Sequence, residues 1–255
     1  MSPLPALEHS VPDVFILESL DEEDEDEQRF EGAFLAEVLR FSGKRPTYRY
    51  FRTEKELRRF ADEFHASKCR FLHLSCHGDL QGLQLRFDDI GFDVFAEIFE
   101  GKLQDRRLFV SSCQSGNMDL VENIIRANPS IYSILAPCDK ISSNHAVAIW
   151  AAFYVRMFDV NPKRVKRLTI KRAMKSLCDL FGVAFSWSYR DSFSDEWHHS
   201  IIKARKRVTR PTHHAEAPGQ PLAEANQPAP AASCSSLPED AATSLLNSPS
   251  PAADA

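Results

Sequence analysis

The sequence predicts an α/β protein, a three-layer sandwich in which a mostly parallel sheet of about six strands carries helices on both faces. Two observations point there. Six short apolar runs recur along the chain, each nearly continuous as a strand buried on both faces requires, and segments of helical period separate them. Strand and helix alternating in this way imply crossover connections in a doubly wound sheet.

The first strand is Val14-Phe15-Ile16-Leu17. Behind it runs Asp21 to Glu27, seven consecutive acids, which reads as a solvated flexible loop on the cleft side of the sheet, with partner docking or pocket occlusion as its functional alternatives. Phe30, Phe34, Val38 and Phe41 then mark one helical stripe, and Tyr48 to Phe51 the second strand. Leu57, Phe60, Ala61 and Phe64 form another stripe, opened by the capping box Thr53-x-x-Glu56. Phe71 to Cys76 is the third strand, Leu83 to Phe87 a small additional one between Gly82 and Asp88-Asp89, and Leu108 to Ser112 the fourth main strand. Asn117 serves as N-cap for a helix carrying Leu120, Val121, Ile124 and Ile125. After the run Ile131 to Ala136 come a helix with His145, Ile149, Ala152, Phe153 and Met157, and another near 163–181 with Ile170, Ala173, Met174, Leu177 and Phe181 turned inward. Val183 to Trp187 closes the series.

Composition bounds the rest. Of 255 residues, 43% are hydrophobic and 26% charged, ordinary values for a globular chain. The net charge of −5 comes from the acidic run and from a tail with five acids and no Lys or Arg beyond Pro211, leaving the body slightly basic. No overall basic excess marks a dedicated nucleic-acid binder. The longest apolar run, Ala146 to Val155, is too short to span a bilayer, and the N-terminus lacks the pattern of a signal peptide, so no membrane is expected and the expected location is cytoplasmic. Eight of fifteen prolines lie in the tail, which has no Phe, Tyr, Trp, Ile or Val and reads as disordered. The expected organisation is an N-terminal extension at 1–12, a folded domain at 13–205 and a Pro/Ala/Ser-rich tail at 206–255.

Ligands of such sheets sit at the carboxyl ends of neighbouring strands. The third strand ends Ser75-Cys76-His77-Gly78-Asp79, and the fourth ends Ser111-Ser112-Cys113-Gln114-Ser115-Gly116-Asn117. If these strands are adjacent, an imidazole and a thiol face each other, the parts of a cysteine nucleophile and its base. These two motifs, with Ile134-Leu135-Ala136-Pro137 and the helix ending Phe153-Tyr154, resemble the caspase-like cysteine peptidases over roughly Val14 to Trp187. The likeness is nearest to the CHAT domains, relatives of caspases, metacaspases, separases and gingipains.

That resemblance implies a Cys113–His77 dyad cutting peptide bonds, a polypeptide substrate, and no metal or organic cofactor. The amides of Gly78 and Cys113 are the candidate oxyanion donors. Asn117 begins a helix whose dipole assists Cys113 secondarily to His77. Glu18, Ser111 and Asp139 are the candidate substrate-binding residues: Glu18 stands where an Asp-selective relative needs an arginine, Ser111 where an Arg- or Lys-selective one often carries an acid, and the two acids could favour a basic or small residue before the cut. Ser112 and Gln114 stand where CHAT proteins commonly carry Ala and Glu. CHAT domains usually adjoin repeat or sensor domains, so an activating or sensor protein is expected in trans.

Competing readings accompany each feature. The six cysteines form no Cys-x-x-Cys pair. Cys76 points away from His77 as core packing, Cys138 is structural, Cys178 lies on a helix and Cys234 in the tail. Strand alternation scatters Cys69, His73, Cys76 and His77 too far for zinc. His198-His199 and His213-His214 read as solvated. Lys163, Arg164, Lys166, Arg167, Lys171, Arg172 and Lys175 form a basic outer helix face, which complements the acidic loop or binds an acidic partner or nucleic acid. The alternatives to a peptidase are therefore a catalytically silent interaction module and a nucleic-acid-associated regulator.

Overall fold

The computed structural model describes residues 11–161, 163, 165–191 and 193–205. The strands are β1 (Val11–Glu18), β2 (Thr47–Tyr50), β3 (Cys69–Ser75), β4 (His77–Gly78), β5 (Gly82–Gln84), β6 (Asp89–Gly91), β7 (Arg107–Ser111), β8 (Ser133–Pro137), β9 (Phe185–Arg190) and β10 (Trp197–Ile202). The helices are α1 (Glu22–Asp26), α2 (Glu31–Phe41), α3 (Glu54–Ala66), α4 (Phe92–Ile98), α5 (Met118–Ala127), α6 (Ser143–Val160) and α7 (Arg167–Phe181). Seven strands form the main sheet in the order β10-β9-β8-β7-β3-β1-β2, and β4-β5-β6 form a small second sheet.

Strand alternation divides the apolar side chains into two cores. Phe15, Leu17, Leu72, Leu74, Leu108 and Val110 pack on one face with α3, α4 and α5. Val14, Ile16, Phe71, Phe109, Leu135 and Trp187 pack on the other with α2, α6 and α7. The expected three-layer sandwich is this arrangement, with seven main strands rather than about six. β10 is the addition: it pairs antiparallel with β9 at the sheet edge and carries His198, His199 and Ser200 in its middle, so no continuous apolar run announces it. Two helices, α6 and α7, separate β8 from β9, and β9 pairs antiparallel with β8.

The capping signals hold. Thr53 Oγ1 accepts from Glu56 N at 3.3 Å, while the Glu56 carboxylate reaches back to Arg52 N at 2.8 Å. Asn117 Oδ1 accepts from Leu120 N at 3.0 Å at the start of α5. Gly182 ends α7 with φ +72°, a left-handed position that suits glycine. Arg106, unremarked in the sequence, is buried and donates to the Phe64, His65 and Ser67 carbonyls at 2.6–3.0 Å, tying the end of α3 to β7.

Several expectations are corrected. α2 buries Gly32, Leu35, Ala36 and Leu39, whereas Phe34 and Phe41 are exposed. The cause is close packing at its first turn, where a Cβ on Gly32 would lie 3.0 Å from Ile16 and 3.1 Å from the Glu18 carboxyl carbon. The acidic run is no loop but α1, capped by Asp21 accepting from Asp24 N at 2.9 Å. β1 begins at Val11, two residues inside the expected extension. α7 begins at Arg167, so Lys163 and Lys166 precede it, and Arg164 lies outside the described residues. Of its basic face, Arg167 pairs with Asp191 at 2.9 Å and Lys175 with Asp179, so acids of this chain meet part of it. His198 and His199 are exposed as expected, on β10. Residues 206–255, with Cys234 and His213-His214, lie outside the described residues. Among those described, no helix is long and apolar enough to cross a membrane.

Phe109 stacks on Phe71 at 5.8 Å between ring centres and meets Phe153 edge-on at 5.3 Å. Phe109→Ala is expected to lower stability by about 3–5 kcal/mol in chemical denaturation, with the transition remaining cooperative.

Candidate active site

Parallel pairing of β3 with β7 sets Ser75 opposite Ser111. His77 and Cys113 each follow two residues later, and both line one cleft at the carboxyl ends of the strands. Leu20, Asp24, Arg29, Glu31, Ser111, Ile141 and Trp150 also line it.

His77 is half-buried and opens the short hairpin β4-β5. Its Nε2 lies 2.8 Å from Asp24 Oδ2 and 3.5 Å from Asp21 Oδ2. Asp24 is buried, and its other oxygen accepts from Arg29 Nη1 at 2.8 Å. The sequence reading missed this carboxylate. The available signal was Asp21 as an N-cap with four acids in the first turn behind it, a helix start rather than a solvated run. Asp21, Asp24 and His77 bring donor atoms within 4.8 Å of one another. Arg29 already supplies a cation there, and the cluster is an ionic network.

Cys113 is half-buried, a free thiol in the loop between β7 and α5. Its sulfur lies 3.5 Å from the Ile141 carbonyl and 3.4 Å from the Ile141 amide, and no hydrogen bond joins it to His77 among the described residues. The loop is tightly held. Gly116 N donates to Pro137 O at 2.7 Å, Ser115 Oγ to Ser112 O at 2.7 Å, and Asn117 Nδ2 to Gln114 O at 3.0 Å. Gln114, directly after the cysteine, has φ +58°, a strained value for a residue with a side chain.

The two candidate oxyanion donors are both free of the sheet ladders. No hydrogen bond among the described residues uses the Cys113 amide. Asp79 N donates to Gly82 O at 3.1 Å, so by ladder alternation Gly78 and Leu83 form a non-hydrogen-bonded pair. The Gly78 amide is thereby turned away from β5. Ser112 Oγ donates to His77 O at 3.0 Å across the crevice, and a Cβ on Gly78 would sit 2.7 Å from Gly82 O. Only glycine fits that approach.

Ser111 lies in the cleft wall, whereas Asp139 is exposed and is not among the residues that line the cleft, its carbonyl accepting from Gln114 N at 3.3 Å. Glu18 is a correction. It is fully buried and accepts from Gly32 N at 2.6 Å, Ala33 N at 3.2 Å and Tyr48 Oη at 2.8 Å, so it fastens the start of α2 and does not line the cleft. Burial pushes its pKa from 4.5 to about 7, against the pull of these donors. The acids that do line the cleft are Asp24 and Glu31, the first residue of α2. Glu31 Oε1 is buried without a hydrogen bond, 3.6 Å from His73 Nε2, whose ring lies edge-on to Trp150 at 4.9 Å. Cys76 packs in the core as expected, its thiol pushed up to about 12 by burial. Burial also raises Cys138 to about 11 and Cys178 to about 12.

Because Glu18 holds its proton more tightly when folded than when unfolded, stability should fall as pH rises from about 4.5 to about 7, by ~3 kcal/mol, and then level off. Glu18→Gln keeps an acceptor for the α2 amides and should flatten that decline. Denaturation midpoints at pH 5 and pH 8 check it, since a Gln variant with the same pH slope would contradict the assignment.

No family model and no curated protein sequence matches this chain. Among solved structures, the secreted C11 cysteine protease from Bacteroides thetaiotaomicron, in complex with an irreversible peptide inhibitor, is similar with a TM-score of 0.49 and 9% identity, over 70% of this chain. The match spans 66% of that protease's length. Caspase-1 from Spodoptera frugiperda is similar with a TM-score of 0.49 and 14% identity, over 79% of this chain and 90% of that one.

Proposed function

We propose that the chain is a caspase-like cysteine endopeptidase, in which Cys113 is the nucleophile and His77 the acid–base. The observation that carries this reading is the meeting of both side chains in one cleft from the ends of adjacent parallel strands. With Nε2 held by Asp24, Nδ1 of His77 remains for proton transfer. His77 takes the thiol proton, the thiolate attacks the scissile carbonyl carbon, and the oxyanion receives the amides of Gly78 and Cys113. The imidazolium then protonates the departing amine, leaving a thioester that water hydrolyses with His77 again as base. Asp24 acts as a positioning residue, orienting the ring and offsetting its positive charge.

The contact of Cys113 with Ile141 favours a second reading, an interaction module whose dyad stays apart. The two readings meet if the turn carrying Ile141 must release the sulfur before substrate enters, a step suited to an activating partner. The CHAT likeness belongs to the proposal on the same footing, resting on the two strand-end motifs.

Cys113→Ala and His77→Ala should each abolish cleavage of a peptide library while shifting the melting temperature little. Asp24→Asn should lower kcat by about tenfold or more with a smaller change in KM. Full cleavage by the Cys113 variant would refute the nucleophile. Failure of a thiol-directed probe to label Cys113 in the wild type, together with no cleavage, would favour the silent module.

A further inference from the structure

Glu31 is an acid on the cleft wall, only 9% exposed, and no side chain or amide among the described residues donates a hydrogen bond to it. An ionisable group so placed costs stability unless a donor arrives. Its nearest polar neighbour, His73, stays at 3.6 Å with its own Nε2 unpartnered, so the pair leaves both atoms short of a bond. Oε1 is sealed on that side, and the residue's remaining exposure opens into the cleft and the adjoining groove beside Phe34 and Val147.

The rest of the wall bears on what the donor is. Among the described residues Arg29 is the one arginine or lysine lining the cleft, and it is committed to Asp24 at 2.8 Å, to Glu23 at 3.7 Å and to Glu27. An acidic substrate side chain would therefore meet Asp24 and Glu31 and no free counter-ion. Half-buried Ala146, with the edges of the buried Leu20 and Trp150, makes the remaining wall apolar, a lining against which the stem of a long basic side chain packs. Ser111, two residues before Cys113, contributes only a hydroxyl.

We infer that Glu31 is the specificity-determining residue of this cleft, the counter-ion that receives an arginine or lysine side chain of the substrate next to the scissile bond. The inference rests on the peptidase reading and assigns selectivity to the start of α2. The guanidinium or ammonium pairs with the Glu31 carboxylate from the cleft side while the carbonyl of the same residue lies at Cys113.

The test compares peptides identical except for arginine, citrulline, leucine or aspartate before the cut. Citrulline keeps the shape of arginine and removes its charge. The wild type is expected to favour arginine over citrulline in kcat/KM by about 10- to 100-fold, and Glu31→Gln to bring that ratio near one. A wild-type ratio near one, a preference for aspartate, or an unchanged ratio in Glu31→Gln would overturn the inference while leaving the peptidase reading intact. Should Glu31→Gln fail to fold, the wild-type ratio alone decides. If no peptide is cut, the peptidase reading fails, and calorimetric binding of agmatine to Cys113→Ala judges the cleft directly. Binding lost with Glu31→Gln in that background supports the cation site, and absence of binding or retention in the double variant refutes it.

Discussion

The register of β3 against β7 is the constraint on which the rest depends. Ser75 lies opposite Ser111, so the residues two steps beyond each strand end emerge side by side. A slip of one residue would exchange the two faces, send Phe71 and Phe109 out of their shared stack, and part the histidine from the cysteine. The ladder runs past the strands to secure this, with Cys76 N donating to Ser111 O at 3.1 Å. Aromatic packing deep in the sheet thus fixes the positions of two polar side chains at its rim.

Three carboxylates near the cleft differ by surroundings. Glu18 is enclosed among amides and a phenol and fastens a helix. Asp24 sits between a guanidinium and an imidazole and sets the histidine's orientation. Glu31 Oε1 has no donor among the described residues. All three lie between the end of β1 and the start of α2, so one short stretch of chain supplies an anchor, a positioning group and a vacant acceptor.

How far the sequence disclosed this follows from the range of the interactions. The buried parallel strands, the caps at Thr53 and Asn117, and the two strand-end motifs are local patterns, and each is found where the pattern puts it. β10 escaped notice because an edge strand with one wet face has no apolar run. The face of α2 was misjudged because four aromatic and aliphatic residues at helical spacing look like a core stripe, whereas Glu18 and Ile16 draw the glycine side inward. Asp24 and Glu31 could not be distinguished from their acidic neighbours, since only contacts 53 residues away to His77 and 42 residues away to His73 set them apart.

The sulfur of Cys113 engages the Ile141 turn, 3.5 Å from its carbonyl and 3.4 Å from its amide, rather than an imidazole. Oxidants, like scissile carbonyls, are attacked by the thiolate and far more slowly by the protonated form. On the proposed peptidase reading, the contact that would hold the sulfur away from a peptide would also slow its attack on peroxide, and release from Ile141 would open it to both chemistries at once. Readiness to act and vulnerability to oxidative loss would then be governed by the single backbone turn that carries Ile141.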